Sequence, residues 1–206
     1  MDSRLLAEWL RDDVDASFNR ITVDGDMSTN DSVFLLANGR SGVAIRRGSA
    51  AAHQFRELLG HVTQRLAYLL IQDGEGATSV LKIRVQGART GTEAQRCARQ
   101  AASSLLVKTM LAGRDPNVGR LAAAVGASGV AFDPARLDIR LEGFGVVVAQ
   151  GILKPFDAKA ARRWLQPQSG TPPAVVIDLH TGRASSSILT CDLTEEYVRI
   201  NAHYST

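Results

Sequence analysis

The 206 residues allow one sizeable domain or two small ones, and 45% hydrophobic with 22% charged residues describes a globular chain rather than a disordered one. Aromatics make up only 5% and the net charge is only +3, which excludes a base-stacking surface and a nucleic-acid stripe; the pairs Arg46-Arg47 and Arg162-Arg163 read as solvated faces. No apolar run approaches the roughly 20 residues that cross a bilayer, so no membrane partner is expected.

The first residues, MDSRLLAEWLRDD, read as an acidic amphipathic helix and not as a signal peptide, with Leu5, Leu6, Trp9, Leu10, Val14 and Phe18 at helical spacing and Asp2 or Ser3 as cap. A polar stretch, SFNRITVDGDMSTND, follows, then SVFLLAN as a short buried strand and NGRSG as a turn. Ser49 caps a long helix whose face carries Phe55, Leu58, Leu59, Val62, Leu66, Leu69 and Leu70, and QDGEGAT ends it. SVLKIRVQG alternates through Val80, Ile83 and Val85 as a strand. A second long helix runs from Thr92 through Ala94, Ala98, Ala101 and Leu105, and GRDPNVGR separates it from the small-residue helix LAAAVG. LDIRLE and GVVVAQG read as paired strands, Asp157 caps a helix through Trp164, and QPQSGTPP is linker-like. AVVIDLHTGRASSSILTCDL reads as a hairpin turning at HTGR, and TEEYVRINA as a C-terminal helix. Helices interleaved with strands predict a mixed α/β or α+β fold, divided softly near residue 86 into segments 1–86 and 87–206.

Local chemistry is sparse. In DGEGAT the glycines flanking Glu75 let backbone approach a ligand and present one carboxylate at a helix end; the plainer reading is a C-cap and turn, with Gly74 or Gly76 left-handed. No GK[ST] follows, so it is not a phosphate loop. DGDMSTND resembles a calcium loop superficially, but counting from Asp24 the sixth and twelfth positions hold Thr29 and Leu35 where glycine and glutamate are required. No metal is expected there. His53, His61 and His180 form no HExxH pattern, and Cys97 and Cys191 lack a CxxC spacing and suit reduced thiols. A reducing, cytoplasmic location is the expectation.

Four blocks in order, SFNRITVDGDMSTNDSVFLLANG, IQDGEGATSVLKIRVQGA, LVKTMLAGRDPNVGRLAAAVGASG and CDLTEEYVRINAHYST, resemble the β chain of ornithine acetyltransferase, the glutamate N-acetyltransferase of arginine biosynthesis. The resemblance covers nearly the whole chain. It implies a layered α/β sandwich completed by an α chain, plus a C-terminal α/β domain. It also implies acetyl transfer from N-acetylornithine to glutamate through an acetyl-threonine, without a cofactor. The partners it implies are the two substrates, an α-type chain and further β chains in a heterotetramer. Glu75, Asn201 and Thr206 match the family's substrate contacts. Chemically, Glu75 suits the free side-chain ammonium of N-acetylornithine, and Asn201 offers both donor and acceptor.

The nucleophile does not match. The family's threonine lies upstream of the helix that leads into SFNR, whereas no threonine precedes Thr22 in this chain, and the α portion is absent. No catalytic residue is therefore assigned, and this chain alone is expected to be inactive. Smaller departures are Met27, Val118 and Thr190, where the family usually has threonine, tryptophan and glycine. An alternative reading is a non-catalytic copy that binds acetylornithine or glutamate, or assembles with a complete enzyme. In either case the tail is expected to fold back, with Val198 and Ile200 buried and Asn201 pointing into the same cavity as Glu75.

Overall fold

The structure, a computed structural model, describes residues 2–167 and 170–203. It contains two compact units. One comprises the described residues up to Ile21 together with Asp26–Leu70; the other comprises Thr22–Gly25 together with the described residues from Ile71 onward. The division thus falls between Leu70 and Ile71, whereas a boundary at residue 86 would cut a strand of the second unit, Val80–Ala88.

The first unit is built on two helices. In α1, Ser3–Ala16, Asp2 accepts from the Arg4 N–H as N-cap, satisfying one of the donors that every helix start leaves open. α2 spans Ala50–Gln72 and starts where Ser49 Oγ accepts from the Ala52 N–H. Leu5, Trp9, Ala52 and Leu59 form the buried cluster, with Leu35, Ile45 and Phe55 packed against it. The Arg56 guanidinium lies over the Trp9 ring at 5.5 Å and reaches Asp13, whose carboxyl burial pushes up.

One expectation is corrected here. SVFLLAN is not a strand: Leu35 turns toward the cluster, but Phe34 is 82% and Leu36 90% exposed, and the segment has no strand neighbour among the described residues. An apolar run signals a need for cover, and a strand also needs a partner edge. The apolar stripe of α2 faces outward as well: Leu58, Val62, Leu66, Leu69 and Leu70 are exposed, while Ala52, Leu59, Thr63, Ala67 and Ile71 are buried.

The second unit is a seven-stranded mixed sheet with helices. Its strands are β1 (Ile21–Thr22, whose Thr22 belongs to this unit), β2 (Val80–Ala88), β3 (Asp138–Leu141), β4 (Gly145–Ala149), β5 (Ile152–Leu153), β6 (Ala174–Asp178) and β7 (Ala184–Cys191), in spatial order β1-β7-β2-β6-β3-β4-β5. In β2 Leu81, Ile83 and Val85 are buried on one face of a period-2 pattern, with Ala88 buried beyond the bulge; Lys82 and Arg84 take the other face, and Val80 is less buried than its neighbour Leu81. Five helices complete the unit: α3 (Gly91–Ser103), α4 (Leu105–Ala112), α5 (Val118–Gly126), α6 (Ala158–Trp164) and α7 (Glu195–His203). Ala94, Cys97, Ala98, Ala101 and Ala102 of α3 are fully buried, and these small side chains let the helix lie close across β2 and β7.

The long helix expected from Thr92 is two helices. Ser104 leaves helical geometry (ψ 119°) and its hydroxyl caps α4 at the Val107 N–H. The expected hairpin is not one either. β6 and β7 flank β2, parallel to it in register Gln86↔Asp178 and antiparallel in register Val80↔Cys191 respectively. Their short connection passes over the end of β2, because β2 supplies two edges that each of them satisfies separately.

Candidate functional site

Glu75 stands in the loop between α2 and β2, and four hydrogen bonds within the second unit fix that loop. The Asp192 carboxylate, at the end of β7, accepts from the Thr78 N–H at 2.8 Å, the Thr78 hydroxyl at 2.6 Å and the Ser79 N–H at 3.1 Å. The Thr194 hydroxyl donates to Gly76 O at 2.7 Å. Gly76 itself is left-handed (φ +66°), and a Cβ there would come within 2.6 Å of the Tyr197 nitrogen, so the start of α7 can sit this close only against glycine. Gly76, and not Gly74, is the left-handed residue of the motif.

The structure brings Glu75 and Asn201 together: Asn201 Nδ2 donates to Glu75 Oε2 at 2.5 Å and to Tyr197 O at 3.1 Å. Both side chains are exposed, so this pair lies at the surface and not in an enclosed cavity. Thr206 lies outside the described residues. The expected burial of the tail is corrected in part. Val198 is 59% exposed and Ile200 only half-buried, because Thr194 and Tyr197 are the residues that tie α7 down.

Tyr197 also answers for the polar stretch after α1. Its hydroxyl donates to Asp24 Oδ2 at 2.9 Å, and Val23 O lies 3.7 Å from Cys191 Sγ. Val23 and Asp24 are thus built against the elements that carry Glu75 and Asn201.

Beneath this surface sits Lys108, 1% exposed. Its ammonium donates to Thr190 Oγ1 at 2.9 Å and to the Cys191 carbonyl, and lies 3.8 Å from Cys191 Sγ. Burial pushes its pKa down, against the opposing pull of Cys191, Asp192 and Asp24. Burial likewise pushes the Cys191 thiol up, with the Lys108 charge opposing. By pinning the Cys191 backbone, Lys108 holds the strand end that carries Asp192, and Asp192 holds the Glu75 loop. Sequence reasoning missed Lys108, Asp192, Asp24 and Tyr197. The available signal was LLVKTML, where a lone cation interrupts an apolar helical run.

Among the described residues no cluster of histidine, cysteine and carboxylate side chains could hold a metal ion, and no helix is long and apolar enough to cross a membrane. Chemically, the site offers a carboxylate and an amide for a cationic, amide-bearing ligand.

Comparison with known proteins identifies the family of the chain. The glutamate N-acetyltransferase of Methanopyrus kandleri is 47% identical over 203 residues, which is 98% of this chain and 51% of that protein. The arginine biosynthesis bifunctional protein ArgJ of Thermus thermophilus is 44% identical over 202 residues, 98% of this chain and 50% of that protein. The chain therefore spans about half the length of the curated relatives it matches. A crystal structure of the arginine biosynthesis bifunctional protein ArgJ from Bacillus halodurans aligns with a TM-score of 0.91 at 36% identity, covering 99% of this chain and 95% of that one. The ArgJ family model matches residues 1–206, and this chain belongs to the ArgJ family.

Proposed function

We propose that the chain is the substrate-binding half of a glutamate N-acetyltransferase that moves the acetyl group of N-acetylornithine to glutamate. The observation that carries this reading is the Glu75–Asn201 pair, held by Asp192, Thr194 and Tyr197, in a chain of the ArgJ family. Glu75 receives the side-chain ammonium of N-acetylornithine, and Asn201, already donating to Glu75, offers its carbonyl to the ligand's amide. In the same reading Thr206 contributes its hydroxyl to the ligand.

In this reading the acetyl-accepting threonine and the donors that stabilise the tetrahedral oxyanion lie on sequence outside these 206 residues, on an α-type chain and at its junction. The chain then works in the cytoplasm as part of a heterotetramer of α-type and β-type chains, and these residues alone transfer nothing.

The test is an acetyl-transfer assay with and without an added α-type chain. Transfer is expected only in the complemented sample. Glu75→Gln in that complex should raise KM for N-acetylornithine by up to about five-fold, equivalent to roughly 1 kcal/mol for a charge pair at an exposed carboxylate. Turnover by the 206 residues alone, through an acetyl-enzyme seen by mass spectrometry, would overturn the division of labour. Binding of N-acetylornithine without transfer in any complex would favour the non-catalytic copy.

A further inference from the structure

The far end of β2 carries a second constellation that the acetyl-transfer reading does not use. A groove of about 480 Å³ is lined there by Arg84, Gln86, Arg136, Asp178, His180 and Arg183, together with Gly87, Gly182 and Ser185. Val80 lies at the Asp192 end and Gly87 at this one, so the two places are separated by seven residues of strand, or roughly 23 Å. The groove opens where the parallel strands β2 and β6 reach their carboxyl ends at Gln86 and Asp178, the position at which open α/β sheets receive ligands.

This end is built under constraint. Among the described residues, two of the three non-glycine residues with positive φ, Gln150 and His180, are found here. Asp138 accepts from the Gln150 N–H at 2.7 Å and lies 2.9 Å from His180 Nε2. Asp178 accepts from the His180 N–H at 3.0 Å and from Gln86 Nε2 at 2.7 Å. β2 bulges between Val85 and Ala88, and Gly87 there is left-handed, with a Cβ excluded by Asp178 Oδ1 at 2.1 Å. Backbone held in sparsely populated regions collects where a site must be shaped.

The charges facing the groove are unbalanced. Both oxygens of Asp178 are engaged by Gln86 and by the His180 backbone. The guanidinium groups of Arg84, Arg136 and Arg183 come from three separate segments, and none makes a side-chain hydrogen bond or ion pair among the described residues, whereas Arg47, Arg56, Arg89 and Arg199 all do. Three unpaired forks around one concavity suit a planar or tetrahedral oxyanion carrying two or more charges.

We propose that this groove binds a small multiply charged oxyanion, a phosphate or a di- or tricarboxylate, at a site separate from the Glu75–Asn201 surface. The ligand's oxygens are held by Arg84, Arg136 and Arg183, and the His180 ring, oriented by Asp138, lies beside it.

The test is calorimetric titration of the full chain with inorganic phosphate, and separately with citrate, at ionic strength held constant with chloride. His180 ring resonances are followed by NMR in the same titrations. Saturable binding that moves His180 is expected, and the tighter of the two anions identifies the source of the ligand. Arg84→Gln and Arg136→Gln should each weaken it by at least about five-fold. Arg136 lies outside the sheet strands, so its variant remains informative if Arg84→Gln disturbs β2, and circular dichroism checks both. Glu75→Gln should leave the affinity unchanged. No saturable binding of either anion, an unmoved His180, an affinity indifferent to both arginine variants, or loss of binding in Glu75→Gln would each overturn the proposal.

Discussion

Lys108 concentrates the second unit's electrostatics in one side chain. It is buried with hydroxyl, carbonyl and sulfur acceptors, and no carboxylate lies within ion-pair distance among the described residues. Truncation to alanine leaves a cavity and takes a charged donor from Thr190 Oγ1 and the Cys191 carbonyl, so Lys108→Ala should cost about 3 kcal/mol, read as a lower urea midpoint at unchanged slope. Lys108→Met keeps the volume and should cost about 1 kcal/mol. The pH dependence has a definite sign. Because burial depresses the folded pKa of Lys108 below its ordinary 10.5, the unfolded chain binds the extra proton between those two values, and the lysine's contribution to stability improves as pH rises through that window. The buried thiols of Cys97 and Cys191 act oppositely. Their folded pKa values lie above the ordinary 9.0, so unfolding releases protons above that pH and stability falls. Lys108→Met removes the favourable slope and also the charge that opposes the rise of the Cys191 thiol, so its stability should fall more steeply above pH 9.0 than that of the parent chain. Parallel pH profiles for the two proteins would show that Lys108 keeps its ordinary protonation.

At the scale of elements, α2 behaves as a helix with two apolar faces. Ala52, Leu59, Thr63, Ala67 and Ile71 are buried on one, and Leu58, Val62, Leu66, Leu69 and Leu70 stand exposed on the other. A contiguous exposed stripe of this kind favours association, so the purified chain should self-associate at micromolar concentration, and Val62→Glu with Leu66→Glu should return it toward monomer in sedimentation velocity. A monodisperse parent chain would remove the reason for the substitution. The same helix marks what was legible beforehand. Periodicity located α1, α2, β2, α5 and α7, because amphipathic spacing is a local property. It did not say which stripe of α2 would be covered, since that depends on what lies opposite. The β6–β7 hairpin was misread for a related reason: strands close in sequence were taken as partners, while β2, from nearly 100 residues earlier, separates them. Glu75 and Asn201 were legible as a pair only through the resemblance. Their contact depends on Gly76, Thr194 and Asp192, and no sequence period records that arrangement.

At the scale of the whole molecule, the two units differ greatly in the means of stabilising themselves. The first has a buried apolar cluster of only Leu5, Trp9, Ala52 and Leu59, with Ala67 buried besides, and its residues 26–49 include no helix or strand. The second has a continuous core that runs from β2 through α3, α4 and α5 to β3, β4, β6 and β7. Burying a large apolar side chain contributes about 1.5–3 kcal/mol, whereas ordering one residue of backbone costs about 1–2 kcal/mol. Three such side chains, Leu5, Trp9 and Leu59, with two buried alanines, cannot offset the ordering of a helix pair and a long irregular segment by a wide margin; the core of the second unit can. Opening should therefore be stepwise and not all-or-none. In native-state hydrogen exchange at increasing urea, amides of α1 and of α2 up to Leu70 should exchange through low-energy openings with shallow urea dependence. Amides of β2, α3 and β6 should exchange only through global unfolding. Trp9→Ala, which removes the largest side chain of the small cluster, should speed exchange in α1 and α2 and leave the protection of β2 and α3 unchanged. If that substitution lowers protection equally in both sets, or if α1 and β2 share one opening free energy in the parent chain, the units are a single cooperative body.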